Sequence, residues 1–109
     1  MIIPNKLNIG DKVGLVSTAR HISIEELNPA IRVLKEWGLE LVFGSNIFSK
    51  SNQFAGTDIQ RASDIQSMID DKSIKAIICT RGGYGTARII DLIDFTALVK
   101  YPKWIVGYS

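Results

Sequence analysis

Short β-branched runs alternate along this chain with longer segments of helical period, and that alternation narrows the fold more than any other property of the sequence. Strand-sized runs separated by helical stretches signal βαβ units, in which parallel strands form a sheet covered by helices. Lys12–Ser17 reads as the first strand, entered from a turn at Gly10-Asp11. Ile24, Leu27, Ile31 and Leu34 then fall on one face of a helix within 23–37. Ser23 and Glu26 have capping-box spacing, whereas Pro29 suits a first turn. The chain is therefore expected either to kink near Pro29 or to start the helix afresh there. Gly38 supplies a left-handed stop.

Leu39–Phe43 is the second strand, and 44–56 is a loop rich in Gly, Ser and Asn. Thr57 and Gln60 form a second capping-box pattern, followed by an apolar stripe at Ile59, Ala62, Ile65 and Ile69. Lys75–Cys79 is apolar on both faces, which argues for a central strand. A glycine-rich turn at Arg81–Gly85 leads to a helix over 86–92 and a shorter helical turn over 94–100. Pro102 stops that turn, and Lys103–Gly107 is the fourth strand. The fold class expected is one α/β domain over 1–109, a flavodoxin-like or Rossmann-like open parallel sheet with helices on both faces.

The length suits one domain with a real core. Apolar residues at 46% and charged residues at 22% exclude a disordered chain. The net charge of +2 is spread out, with no basic block to attract nucleic acid or a membrane. The apolar runs are strand-sized and no secretory core opens the chain, so cytoplasmic residence is expected. One cysteine and one histidine cannot supply a metal's ligands, so neither metal nor cofactor is expected. Cys79 reads as a packed thiol, with nothing nearby to activate it.

In open parallel sheets, functional groups gather at the carboxyl ends of the strands. Three such ends stand out: Ser17–His21, Thr80–Gly85 and Gly107–Ser109. A strand followed by Gly107-Tyr108-Ser109 has the form of a nucleophile elbow seen from upstream, with an ordinary turn as the alternative. The adjacent Gly82 and Gly83 suit an oxyanion hole, a phosphate cradle or a plain turn, and no P-loop or dinucleotide spacing favours the cradle. Arg81 offers a planar fork to a terminal carboxylate, or an ion pair to Asp94 or Asp58. Tyr84 and Tyr108 are candidates to line the cleft or to cover the sheet edge. His21 is either a base for Ser109 or a solvated loop histidine. Trp37 and Trp104 read as core. Arg61 and Asp64, three apart on one helix, read as surface partners.

Several of these features occur in one order: Gly56-Thr57-Asp58 with Arg61 and Asp64, then Arg81–Gly85, Asp94, and Pro102-Lys103 leading to Gly107-Tyr108-Ser109. In that order they resemble the N-terminal domain of the serine LD-carboxypeptidases, a family that includes muramoyltetrapeptide carboxypeptidases and microcin C immunity peptidases. The resemblance implies that Ser109 is the nucleophile and that Gly82-Gly83 supplies an oxyanion N–H. It also implies a Ser-Glu-His triad whose Glu and His belong to a C-terminal domain absent from these residues. The implied activity is metal-free removal of the terminal D-alanine from a murein tetrapeptide during cell-wall recycling. The chain departs from the family at Ser17-Thr18-Ala19-Arg20, where Ser-Pro often follows the first strand. A fragment of this kind is expected to be inactive alone and to expose the surface that meets its missing domain, which favours self-association such as a homodimer. The alternatives are an immunity-type peptidase acting on a peptidyl or aminoacyl nucleotide, and a non-enzymatic module that holds an anion at Arg81–Gly85.

Overall fold

The computed structural model describes residues 6–19, 22–48, 56–80 and 89–106. Four strands, β1 (Lys12–Val16), β2 (Glu40–Phe43), β3 (Ile74–Cys79) and β4 (Trp104–Val106), form one parallel sheet in the order β2-β1-β3-β4. Between them run α1 (Ile24–Glu36), α2 (Asp58–Asp70), a 3₁₀ turn at Ile90–Leu92 and a short helix, α3 (Ala97–Lys100). This order is that of the flavodoxin-like sheet, in which β1 and β3 are neighbours. β3 lies between β1 and β4, the interior place its apolar sequence requires.

Right-handed crossovers fix the layers. The β1–α1–β2 unit and the β2–α2–β3 unit step in opposite directions along the sheet, so α1 and α2 cover opposite faces. Two cores result. Leu27, Ile31 and Leu34 of α1 pack with Leu15 and Ile47 on one face. Ala62, Ile65, Met68 and Ile69 of α2 pack with Val16, Ile74, Ile77 and Cys79 on the other, with Ile93, Ala97 and Leu98 alongside.

Local signals set the helix ends. Ser23 and Glu26 form a full capping box, so α1 starts at Ile24 and runs through Pro29 without restarting. Its far end is a Schellman turn: the Gly38 N–H donates to the Lys35 carbonyl and the Leu39 N–H to the Leu34 carbonyl. Gly38 has φ +80°, a conformation that favours glycine. Thr57 and Gln60 cap α2 in the same reciprocal way. The other end of α2 is closed by buried Lys103, whose Nζ donates to the carbonyls of Met68, Asp71 and Ile74. Cations are favoured at that pole of the helix dipole. Burial pulls the Lys103 ammonium below its ordinary pKa and Lys75 adds to this, while Asp71 and Asp70 oppose it.

Several expectations are corrected. Trp37 and Trp104 are not core residues: they are 64% and 42% exposed. Ile24 and Ile59 sit at the first turns of their helices, rotated away from the sheet, and are exposed. Arg61 and Asp64 are not surface partners: they lie on the buried face of α2, 1% and 4% exposed, and each bonds to a distant loop. Residues 86–88 of the helix expected over 86–92 lie outside the described residues, and its end is the 3₁₀ turn at Ile90–Leu92. Among the described residues no helix is long and apolar enough to cross a membrane.

Candidate active site

Stepping from β1 to β2 and then back across to β3 reverses the direction of travel along the sheet. The crevice beyond the carboxyl ends of β1 and β3 is thus the topological switch point, where ligands bind in sheets of this kind. In register, Val16 pairs with Cys79 and Ile78 with Val106, so β1, β3 and β4 end side by side on one edge. The chain leaves β3 toward Arg81 and β4 toward Gly107 from adjacent, parallel strands.

The floor of this edge is a buried polar lattice. Ser17 Oγ donates to the Ile47 carbonyl at 2.9 Å, which uses its one proton. The Thr80 hydroxyl, 2.8 Å away, is therefore the donor in the Ser17–Thr80 bond. The Thr80 N–H donates to the Val16 carbonyl at 2.9 Å, and the Gly44 N–H to the Leu15 carbonyl at 2.8 Å. These bonds join the segments that follow β1, β2 and β3 into one piece.

Two residues of α2 complete the lattice from below. Arg61 donates through Nε to the Thr18 carbonyl at 2.9 Å and through a terminal nitrogen to the Gly56 carbonyl at 2.8 Å, and it forms an ion pair with Asp58 at 2.6 Å. Asp64 accepts from the Asn46 backbone N–H at 2.8 Å and from its amide side chain at 2.9 Å. No buried side-chain polar atom among the described residues lacks a partner. Such a lattice fixes loops without supplying a reacting group. Ser17 in particular is buried with its proton committed to a backbone carbonyl, so it is no nucleophile.

Cys79 is equally inert. Burial pushes its thiol above the ordinary value, with a hydrogen bond from Thr18 opposing, and a protonated thiol is a poor nucleophile. Among the described residues no three His, Cys, Asp or Glu side chains cluster closely enough to hold a metal ion. Asp58, offered by the sequence as a partner for Arg81, has its carboxylate engaged by Arg61. Asp94, the other partner offered, accepts from the Thr96 hydroxyl and N–H, and those bonds hold its carboxyl below the ordinary value.

Ser109, Gly82, Gly83, Arg81, Tyr84, Tyr108 and His21 all lie outside the described residues. The structure therefore describes the strand ends that precede them. Ser17, Thr80, Arg61 and Asp64, which join the loops of this edge, were not singled out as site residues by the sequence. Their signal was available in part. Arg61 and Asp64 share the helical phase of Ile65 and Met68, and charged residues in a buried phase point to a polar network.

Comparison with known proteins gives this edge its context. Residues 13–109 match the family described as the LD-carboxypeptidase N-terminal domain. A probable murein peptide carboxypeptidase of Bacillus subtilis is 38% identical over 106 residues, covering 97% of this chain and 33% of that protein. The structure of a muramoyltetrapeptide carboxypeptidase from Oxalobacter formigenes superposes with a TM-score of 0.77 at 30% identity, covering 90% of this chain and 33% of that one. The microcin C7 self-immunity protein MccF, in complex with aspartyl sulfamoyl adenosine, superposes with a TM-score of 0.90 at 25% identity, covering all of this chain and 33% of that one. The chain thus spans about a third of the length of these relatives. Matched over nearly its whole length, the chain belongs to the LD-carboxypeptidase family, to whose N-terminal domain it corresponds.

Proposed function

We propose that this chain is the nucleophile-bearing part of a serine LD-carboxypeptidase that releases the terminal D-alanine of a murein tetrapeptide in the cytoplasm. The observation that carries the reading is the adjacency of β3 and β4, whose parallel ends lead directly into Arg81–Gly85 and Gly107–Ser109. In this mechanism Ser109 attacks the carbonyl that precedes the D-residue. The oxyanion is met by backbone N–H groups, one of them from the Gly82-Gly83 turn. The C–N bond then breaks, D-alanine leaves with a proton, and water hydrolyses the acyl-serine to regenerate the hydroxyl. A histidine held by a glutamate, both from polypeptide beyond residue 109, moves the protons, and without them residues 1–109 alone are inactive. Arg81 receives the terminal carboxylate as a bidentate partner, and Tyr84 and Tyr108 line the cleft.

A second reading has its own support. The superposition on MccF is closer than that on the muramoyltetrapeptide carboxypeptidase, which favours an aminoacyl or peptidyl nucleotide as substrate. The sequence identities to the murein enzymes are higher, and we weigh them more because pocket chemistry follows side chains while TM-score follows backbone. The test is to incubate the full-length protein in turn with murein tetrapeptide and with an aminoacyl sulfamoyl nucleotide. Rapid D-alanine release with slow nucleotide cleavage is expected. The opposite order would transfer the assignment to the immunity-type reaction, and no cleavage of either would remove the hydrolase reading.

A further inference from the structure

The hydroxyls of Ser17 and Thr80 are buried, and the mechanism proposed for Ser109 uses neither of them. Each belongs to the first residue past a strand, Ser17 after β1 and Thr80 after β3. Val16 pairs with Cys79, so the two exits lie side by side. An alanine and a valine would fill these positions with no hydroxyl to desolvate. What the hydroxyls add is direction, since apolar contact has none and an O–H···O bond fixes both distance and angle.

The bonds run in one sense, from the Thr80 hydroxyl to Ser17 Oγ at 2.8 Å and from Ser17 Oγ to the Ile47 carbonyl at 2.9 Å. The Thr80 N–H also donates to the Val16 carbonyl at 2.9 Å. Thr80 is thus held twice, through its main chain and its side chain, by two successive residues at the exit of β1. That exit is itself fixed from α2, because Arg61 Nε donates to the carbonyl of the next residue, Thr18. Arg81 follows Thr80 directly, and Gly82 is the second residue beyond it. An oxyanion donor acts only within about 2.7–3.1 Å of the developing charge. A displacement of about 1 Å can cost about 100-fold in rate.

We propose that Ser17 and Thr80 are positioning residues for acyl transfer: their hydroxyl-to-hydroxyl bond sets where the chain enters Gly82-Gly83, and so aims the oxyanion N–H. The proposal rests on the role given to Gly82-Gly83 under the proposed function and adds the residues that aim it. Because the oxyanion contact strengthens in the transition state, misaiming it lowers kcat and leaves KM little changed. The test uses the full-length protein with whichever of murein tetrapeptide and aminoacyl sulfamoyl nucleotide it cleaves. Thr80→Val keeps the shape of the side chain and removes the hydroxyl, whereas Thr80→Ser keeps the hydroxyl. Thr80→Val and Ser17→Ala are each expected to lower kcat about 10-fold or more, with KM little changed. The double variant should be no slower than Ser17→Ala alone, and Thr80→Ser should keep most of the parent rate. A purely structural role would shift the unfolding midpoint and leave the kcat of the folded enzyme at the parent value. That result overturns the proposal, as do losses that multiply in the double variant, a loss confined to KM, or a serine variant as slow as the valine. A parent that cleaves neither substrate removes the hydrolase reading and this proposal together. An active parent with an equally active Thr80→Val removes this proposal alone.

Discussion

Arg61 Nε and the Thr18 carbonyl lie 2.9 Å apart, although 43 residues separate them in sequence. Through this bond a fully buried guanidinium on α2 holds the backbone just past β1, at the switch point of the sheet. The same side chain also bonds to Gly56 and Asp58, so one residue pins two loops at the carboxyl edge. Hydrogen bonds from charged groups contribute more than neutral ones, and removing this guanidinium strands the buried Thr18 and Gly56 carbonyls that it serves.

Replacing Arg61 by Met keeps much of its volume and removes its donors. Arg61→Met is expected to lower stability by about 3 kcal/mol, read as a fall in denaturant midpoint with an unchanged slope. A loss below about 1 kcal/mol, the range of surface ion pairs, would show that the contact contributes no more than an exposed pair.

Gly44 tests the second anchor. A Cβ built there would stand 2.6 Å from Asp64 Oδ2 and 3.0 Å from its carboxyl carbon. Gly44→Ala should push the carboxylate off Asn46 and cost about 1–3 kcal/mol, as overpacking does. Chemical shifts of the Asn46 side-chain amide should move with it. An alanine variant as stable as the parent, with those shifts unchanged, would contradict the close approach.

The thiol of Cys79 gives a pH dependence. Burial raises its pKa above the model-compound value of 9.0, so the folded state keeps a proton that the unfolded state releases. Its contribution is therefore complete below pH 9.0 and is lost as pH rises toward the folded value. Unfolding measured on both sides of pH 9.0 should show stability falling more steeply for the parent than for Cys79→Ala. Parallel curves would contradict a buried, protonated thiol.

These residues also show what the sequence made legible. Both capping boxes, the Gly38 stop and the interior place of β3 rest on short-range chemistry or composition, and each is present in the structure. Arg61 and Asp64 were misjudged because spacing within a helix reveals only neighbours in that helix. Their partners Thr18 and Asn46 come from loops brought near by the crossover. The tryptophans were misjudged because hydrophobicity shows that a residue seeks cover, whereas the cover itself must come from another segment. Ser109 and the Gly82-Gly83 turn gain their roles from a resemblance in motif order, since local spacing alone leaves an ordinary turn as the rival.

The central claim is that Ser109 is the attacking group, and D-alanine release from murein tetrapeptide by the full-length protein tests it most directly. Ser109→Ala, checked for an unchanged fold by circular dichroism, should reduce the rate by about 10⁴-fold or more, as loss of a serine nucleophile does. Undiminished release by the alanine variant would contradict the account.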